Sequence, residues 1–153
     1  MDKKKIIFFR SILRLLEREM GFQTGFEIQC CGVTLGQCHI LMELAEKKET
    51  TIRELSDTFG LDKSSLSRTV DGMVKSGLLN RAESKKDRRY TSLSLTKKGI
   101  KSAENINVTC NEYYKLLFDL IPEEKHSPIF ESIKLLSEAM NKLRTSENKM
   151  CCV

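Results

Sequence analysis

The chain has 153 residues, of which 31% are charged, and its formal net charge is +5. This length fits one domain, or one domain with additional helices, around a core of modest size. The positive surplus is compatible with a polyanionic partner, but its size alone identifies none. No apolar stretch is long enough to cross a bilayer, and Arg10, Arg14 and Glu17 interrupt the first one, unlike a secretory leader. We therefore expect a cytoplasmic protein without a membrane partner.

The first predicted element is a helix over residues 3–20. Its apolar residues recur at spacings of four, three and four, and they are Phe9, Leu13, Leu16 and Met20. Gly21 and Gly25 then interrupt the helical pattern. The sequence therefore predicts a polar connection over residues 23–32.

Two short helical patterns follow, separated by a short extended piece at residues 50–51. The first covers residues 35–47, and Thr34 precedes it as a residue whose hydroxyl can cap the helix start. The second covers residues 52–59. Gly60 ends it, because glycine readily takes the left-handed conformation that many helix ends require.

One more helix and a strand pair complete the middle of the chain. Asp62 stands at the N-cap position, where its carboxylate can accept hydrogen bonds from free backbone N–H groups, and the helix runs to about Ser76. Residues 78–82 and 90–95 are predicted strands, and in the second strand apolar and hydroxyl residues alternate between two faces. Helix, turn, helix and strand pair in this order predict a winged helix-turn-helix.

The chain ends with two longer helices. Thr96 can cap the first, which extends to about Leu120, and Pro122 is predicted to lie in the first turn of the second. An average apolar spacing of about 3.5 residues, as in the last helix, suits helix packing between chains. Because the first and last helices are more apolar than one small core requires, we predict a homodimer built from both chain ends. The apolar residues of the last helix are Ile129, Ile133, Leu136, Met140 and Leu143.

Together these elements predict a mainly α fold with a small β-wing, a winged helix-turn-helix flanked by N- and C-terminal dimerisation helices. Residues 1–33 form an N-terminal helix and loop for dimerisation, and residues 34–99 form the core that binds DNA. Residues 100–145 supply the C-terminal dimerisation helices, and residues 146–153 form a flexible tail.

The helix after Asp62 carries the residues expected to read DNA. In a helix-turn-helix the second helix enters the major groove, and its N-terminal residues contact base edges. Arginine can bind O6 and N7 of guanine in bidentate fashion, a contact that contributes about 1–3 kcal/mol of discrimination. Small hydroxyl side chains permit a close approach and can bond to phosphate or base. The predicted contacts on this helix are Lys63, Ser64, Ser65, Ser67 and Arg68.

The loop between the two strands is strongly basic and is predicted to be the tip of the wing. Its cations are Lys85, Lys86, Arg88 and Arg89. Such a loop can follow the phosphate backbone and insert an arginine into a narrow minor groove, where negative potential is concentrated. Asp87 is expected to pair with Arg89 and to fix the loop, since the planar arginine side chain suits a carboxylate.

With these motifs in this order, the chain resembles the MarR family of winged-helix repressors. Asp87-Arg88-Arg89 matches that family's wing pattern of aspartate, any residue and arginine. Ser64-Ser65-Leu66-Ser67-Arg68 is similar to the start of its recognition helix, Gly77-Leu78-Leu79 to its helix-to-wing junction, and Leu95-Thr96-Lys97-Lys98-Gly99 to the opening of its next helix. The resemblance covers essentially the whole chain. It implies a homodimer on double-stranded DNA with a pseudo-palindromic operator, usually a repressor that a small effector releases.

Six cysteines are many for a chain of this length in a reducing compartment, where structural disulfides are not expected. Cys38 falls on an apolar helix face, as small buried apolar residues do. Cys30 and Cys31 are adjacent in the predicted polar connection, and Cys151 and Cys152 form a second adjacent pair in the tail. These two pairs are the candidate sensor, with Cys38 as a further ligand.

Members of the family commonly sense small phenolic compounds, oxidants or metals, and we expect an effector of one of three kinds. The leading hypothesis is a soft metal or metalloid, such as trivalent arsenic or antimony, bound by cysteine thiolates. The alternatives are oxidation or electrophilic modification of the same thiols, and a small organic ligand between the dimerisation helices and the winged core. His39 could instead bind zinc, but adjacent cysteines do not match the spacing of structural zinc sites. No cofactor is required in any of these cases.

Two other classes of protein fit the sequence less well. An enzyme is not expected, because the chain has no glycine-rich phosphate loop and its two histidines, His39 and His126, lack a visible nucleophile partner. A winged fold used only for protein contacts is the second alternative. Binding to DNA separates that class from a DNA-reading protein.

Overall fold

In a computed structural model of this chain, the described residues are 2–83 and 91–145, and for residues 22–31 the description covers the backbone alone. None of the described helices combines the length and the apolar character that a membrane span needs. The elements in chain order are α1 (Lys3–Cys31), α2 (Leu35–Lys47), β1 (Thr50–Thr51), α3 (Ile52–Phe59), α4 (Lys63–Lys75), β2 (Leu79–Glu83), β3 (Thr91–Leu95), α5 (Lys97–Asp119), a 3₁₀ turn (Glu123–Lys125) and α6 (His126–Thr145).

Helix α1 is continuous to Cys31, so the prediction of a break after Met20 and a polar connection over residues 23–32 is wrong. A glycine inside a helix costs only about 1 kcal/mol relative to alanine, which neighbouring helix-forming residues can offset. The helix ends where Gly32 takes a φ of +64°, the left-handed conformation typical of a helix end. The pair Cys30 and Cys31 therefore lies in the last turn of α1 and not in a loop.

Side-chain caps define where the helices of the winged core begin, as predicted for α2. The Thr34 hydroxyl accepts the backbone N–H of Gln37 at 3.4 Å, and the Gln37 side chain accepts the Thr34 N–H at 3.0 Å. Thr51 and Glu54 form a second reciprocal pair of this kind at the start of α3. Gly60, at a φ of +63°, ends α3 as predicted.

The sheet is antiparallel and three-stranded, in the order β1-β3-β2. The predicted strand pair is confirmed, and its register pairs Leu79 with Leu95 and Glu83 with Thr91. The predicted extended piece at residues 50–51 pairs with the other side of β3. Strand β3 is therefore the central strand of the sheet. The wing is formed by β2 and β3, whose pairing extends to Glu83 and Thr91.

Residues 1–108 form a first compact unit, whose core lies among α2, α3, α4, β3 and the first part of α5. Helix α4 buries Leu66, Val70 and Met73 along one face. Fully burying a side chain of this size stabilises the fold by about 1.5–3 kcal/mol. Among the described residues, the largest fully buried side chains are Ile40, Leu41, Leu44, Leu55, Met73, Leu93, Ile106 and Val70.

Residues 109–153 form a second compact unit, whose described part contains the end of α5, the 3₁₀ turn and α6. Pro122 precedes the 3₁₀ turn and α6 begins only at His126, so the prediction that Pro122 lies in the first turn of the last helix is wrong. The ring of His126 contacts the end of α5 and the segment between α5 and the 3₁₀ turn. Its Nε2 lies 3.1 Å from the carbonyl oxygen of Phe118 and 2.9 Å from that of Ile121, and so serves the carbonyl groups at the end of α5.

A close approach joins the start of α5 to the turn after α4. The Thr96 hydroxyl accepts the Gly99 N–H at 3.0 Å, which confirms the predicted cap. Lys98 Nζ donates to the Ser76 carbonyl oxygen at 2.8 Å. A Cβ at Gly99 would lie 2.1 Å from the carbonyl oxygen of Leu78, so only glycine fits here without a backbone shift.

The substitution Gly99→Ala is expected to lower the free energy of unfolding by about 1–3 kcal/mol, since the added methyl group must displace backbone in a packed junction. Gly72→Ala is the matched control, because a Cβ there would meet no atom within 4 Å. This control is expected to gain up to about 1 kcal/mol from the higher helix propensity of alanine. Urea unfolding measures both changes. Equal stability of Gly99→Ala and the natural chain would contradict the junction described.

Candidate nucleic-acid interface

Helix α4 buries one face and presents the other. Its buried residues pack into the core of the first unit, so the rotation of the helix about its own axis is fixed. The residues predicted to contact DNA lie away from that stripe. Lys63, Ser64, Ser65 and Arg68 are exposed, and Ser67 is half-buried.

A cap at the start of α4 engages two of these residues. Asp62 Oδ1 accepts the Ser64 hydroxyl at 2.6 Å and the Ser65 backbone N–H at 2.8 Å. The Ser64 hydroxyl, and after it the Ser65 backbone N–H, hold the pKa of the Asp62 carboxyl well below its ordinary value. The predicted N-cap is confirmed. The sequence did not reveal that Ser64 takes part in it.

Arg68 is anchored to its own helix through one nitrogen. Its Nε donates to the Ser64 carbonyl oxygen at 3.4 Å, four residues earlier. This bond does not use the two terminal nitrogens of the guanidinium group, which can form the planar fork that a bidentate contact with guanine needs.

An ion pair ties α4 to the wing. Arg81 of β2 lies 2.8 Å from Asp71 of α4, and both side chains are partly exposed. Arg81 lies on the strand that leads to the basic loop, but its charge is paired within the protein. An exposed pair of this kind contributes about 0–1 kcal/mol, so its main effect is to orient β2 against α4.

The tip of the wing lies outside the described residues, and so do the predicted contacts on it. The described structure of the wing consists of β2 and β3, paired up to Glu83 and Thr91. The residues outside the description are Lys85, Lys86, Asp87, Arg88 and Arg89.

Comparison with known proteins identifies the fold's relatives. Residues 32–89 match the model of the MarR family. The HTH-type transcriptional regulator BilQ of Clostridium symbiosum is 26% identical over 125 residues, which are 82% of this chain and 83% of that protein. The crystal structure of a MarR transcriptional regulator from Methanosarcina mazei Go1 has a TM-score of 0.75 and 26% identity, covering 89% of this chain and 98% of its own. Residues 32–89 of the chain are thus similar to the MarR family, and the relatives matched over most of the chain are regulators of this kind.

This protein is a DNA-binding transcriptional regulator, and the relatives it matches are regulators and not enzymes. Similar solved structures confirm the predicted winged fold, among them the structure from Methanosarcina mazei Go1. A crystal structure of Streptococcus pneumoniae FabT in complex with DNA shares the fold with a TM-score of 0.78 at 17% identity, covering 88% of this chain and 99% of that one.

The cysteines predicted to sense an effector fall largely outside what is described. Cys38 is half-buried in α2. The side chains of Cys30 and Cys31 and the tail with Cys151 and Cys152 are beyond the description. Within residues 2–83 and 91–145, wherever side chains are described, no group of three or more histidine, cysteine or acidic side chains could hold a metal ion.

A cavity of about 450 Å³ opens beside the core of this regulator, between α2, β3 and α5. Its lining includes the apolar side chains of Leu44, Leu95 and Ile100 together with Lys48 and Glu104. Lys48 has a φ of +65° and a ψ of −36°, an unfavourable backbone conformation for a residue with a side chain. A cavity of this size and mixed lining is suited to a small organic molecule with a polar group.

The Asp62 cap predicts a dependence of stability on pH. A carboxyl whose pKa is lowered by folding stabilises the folded state above its unfolded pKa, about 3.9, and this contribution is lost as the pH falls through the folded value. Asp62→Asn keeps a cap acceptor but does not titrate. The difference in free energy of unfolding between the natural chain and Asp62→Asn should therefore be constant above about pH 5 and shift against the natural chain below about pH 4.

Urea unfolding at a series of pH values measures this difference. A difference that does not change between about pH 5 and pH 3 would show that Asp62 is not held ionised by the cap.

Proposed function

We propose that this protein is a homodimeric repressor that binds a pseudo-palindromic operator and leaves it when an effector binds. The observation that carries the proposal is the polar face of α4, held outward by the buried stripe on its other side. In a helix-turn-helix of this kind the second helix lies in the major groove, and a two-fold dimer matches two half-sites.

In this proposal α4 contacts the major groove of the DNA, and the wing contacts the phosphates and the minor groove. Arg68 reads a base edge, and the hydroxyl residues approach the bases or the backbone around it. The wing tip follows the phosphates and places an arginine in the minor groove. Asp87 structures the wing by pairing with Arg89. The full set is Lys63, Ser64, Ser65, Ser67, Arg68, Lys85, Lys86, Arg88 and Arg89.

The proposed dimer uses apolar surface that the single chain leaves uncovered. Helix α6 buries no residue, and of its large apolar side chains Leu135 is 69% exposed and Leu143 67% exposed. Helix α1 also carries a dense apolar surface. Contiguous exposed apolar surface of this extent marks an interaction site, and a second copy of the chain is the occupant we infer. In the part of α1 whose side chains are described, the exposed large apolar residues are Ile6, Ile7, Phe8, Phe9, Ile12, Leu15, Leu16 and Met20.

For the effector, one hypothesis is a soft metal or metalloid such as trivalent arsenic or antimony, bound by thiolates of Cys30, Cys31 and Cys38, with Cys151 and Cys152 as further donors. Oxidation or electrophilic modification of these thiols is a variant of it. Consecutive positions of a helix lie about 100° apart around its axis, so a metal site would need a donor from another segment besides the pair in α1.

The second effector hypothesis is a small organic ligand, and the cavity beside α2 and α5 favours it. Apolar walls with Lys48 and Glu104 at the same cavity would hold a molecule that combines an apolar body with a polar or charged group. Under either hypothesis the effector must bind one spacing of the two recognition helices more tightly than the other, because equal affinity for both shifts no population.

Two arginine substitutions test the DNA contacts. Arg89→Ala should weaken binding to all sequences alike, whereas Arg68→Ala should cost about 1–3 kcal/mol and relax base preference at one position. Arg18→Ala is the control, because it removes the same charge from α1, outside the winged core. Affinities for a panel of single-base variants of a selected duplex measure the effects. Unchanged affinity of Arg89→Ala would show that the wing assignment is wrong.

Release from DNA tests the sensor. Trivalent arsenic, antimony, zinc, cadmium and peroxide would be titrated against the complex of DNA with the natural chain and with the double variant Cys30→Ser, Cys31→Ser. Loss of the response to one of these agents in the double variant is the outcome the thiol hypothesis expects. Identical responses in both proteins would reject the pair Cys30 and Cys31 as the sensor.

A further inference from the structure

The first turn of α4 has a defined hydrogen-bond polarity. The Ser64 hydroxyl lies 2.6 Å from Asp62 Oδ1. An ionised carboxylate has no proton to give, so Ser64 is the donor in this bond. A hydroxyl has a single proton, and Ser64 therefore has only lone pairs left for an outside partner.

Asp62 adds acceptors to the same turn. The hydrogen bonds from the Ser64 hydroxyl and the Ser65 backbone N–H both end on Oδ1. The carboxylate is acceptor-only through both of its oxygens. Asp62 and Ser64 are both exposed, so an outside partner can reach their side chains. Towards such a partner the Asp62 carboxylate and the Ser64 hydroxyl can act only as hydrogen-bond acceptors.

We propose that Ser64 is a specificity-determining residue that accepts a hydrogen bond from the exocyclic amino group of a cytosine or an adenine, with Asp62 as the positioning residue that fixes its polarity. This rests on the proposed function, in which α4 lies in the major groove. The site is the same recognition helix, and the addition is the class of base that it selects.

The chemistry of the major groove allows few partners for such a turn. Cytosine N4 and adenine N6 carry donors there, whereas guanine O6 and N7, thymine O4 and the phosphate oxygens are acceptors. Ser64 cannot donate to a phosphate unless it first gives up the bond to Asp62. The same carboxylate repels a phosphate close to it, so Ser64 favours a base edge, whereas the exposed Lys63 of this turn is the group suited to a phosphate.

Arg68 supplies the complementary polarity one helical turn later. It follows Ser64 by four residues, and its Nε bond to the Ser64 carbonyl oxygen holds the two on one face. Four residues of helix rise by about 6 Å, which is close to two base-pair steps of about 3.4 Å. The half-site is therefore expected to combine a guanine, read by Arg68, with an amino-bearing base within about two steps.

The test begins with a duplex selected by the natural chain from a pool of random double-stranded sequences. Each cytosine of its half-site is then replaced singly by 2-pyrimidinone, and each adenine by purine, which removes only the amino group. One replacement should weaken binding roughly 2- to 12-fold, the size of one hydrogen bond. Ser64→Ala should show no such penalty at that position, and Ser64→Thr, which keeps the hydroxyl, should restore it.

Asp62→Asn is the second variant, because its amide oxygen can still accept from Ser64 while the charge is absent. Asp62→Asn should bind every duplex more tightly than the natural chain does. It should still bind more weakly when the amino group of the selected base is removed. The proposal is overturned if Ser64→Ala weakens all duplexes equally, or if it shows the same penalty as the natural chain. Failure of the proposed function looks different, since the natural chain would then bind no duplex with an affinity that falls with salt, and that result overturns both.

Discussion

The burial of one face of α4 is the interaction on which the DNA interface depends. Leu66, Val70 and Met73 are buried within the core of the first unit. Because these side chains can be covered in only one orientation of the helix, the opposite face with Ser64 and Arg68 must point outward. Core packing and recognition are therefore two consequences of one helical pattern, and a change on the buried side would also move the reading side.

The two ends of α4 are fixed by different means. At its start the Asp62 carboxylate caps the helix and orients the Ser64 hydroxyl. At its end, Lys98 of α5 donates to the carbonyl oxygen of Ser76, and Arg81 of β2 pairs with Asp71. Helix α5 and strand β2 thus contact the C-terminal half of α4, whereas its N-terminal turn carries Ser64. A shift of α5 would therefore be transmitted directly to α4, whose exposed face carries the proposed DNA contacts.

Local signals made much of this fold predictable. Thr34, Gly60 and Asp62 mark the ends of α2, α3 and α4 through contacts within a few residues, which a sequence pattern records. Helix α1 was mispredicted because the cost of Gly21 is small beside the rest of a long helix. The pair of Asp71 with Arg81 depends on how β2 lies against α4, which no periodicity in the sequence specifies. The proposed effector site likewise depends on groups that only the tertiary or dimeric structure would bring together.

The salt dependence of DNA affinity tests the central claim most directly. Binding of the full chain to a duplex selected from random sequences would be measured between about 50 and 200 mM salt. The logarithm of the association constant is predicted to fall linearly with the logarithm of the salt concentration, with a slope of about −0.9 for each phosphate neutralised by α4 and the wing. Weak binding to every duplex, with no dependence on salt, would contradict the account.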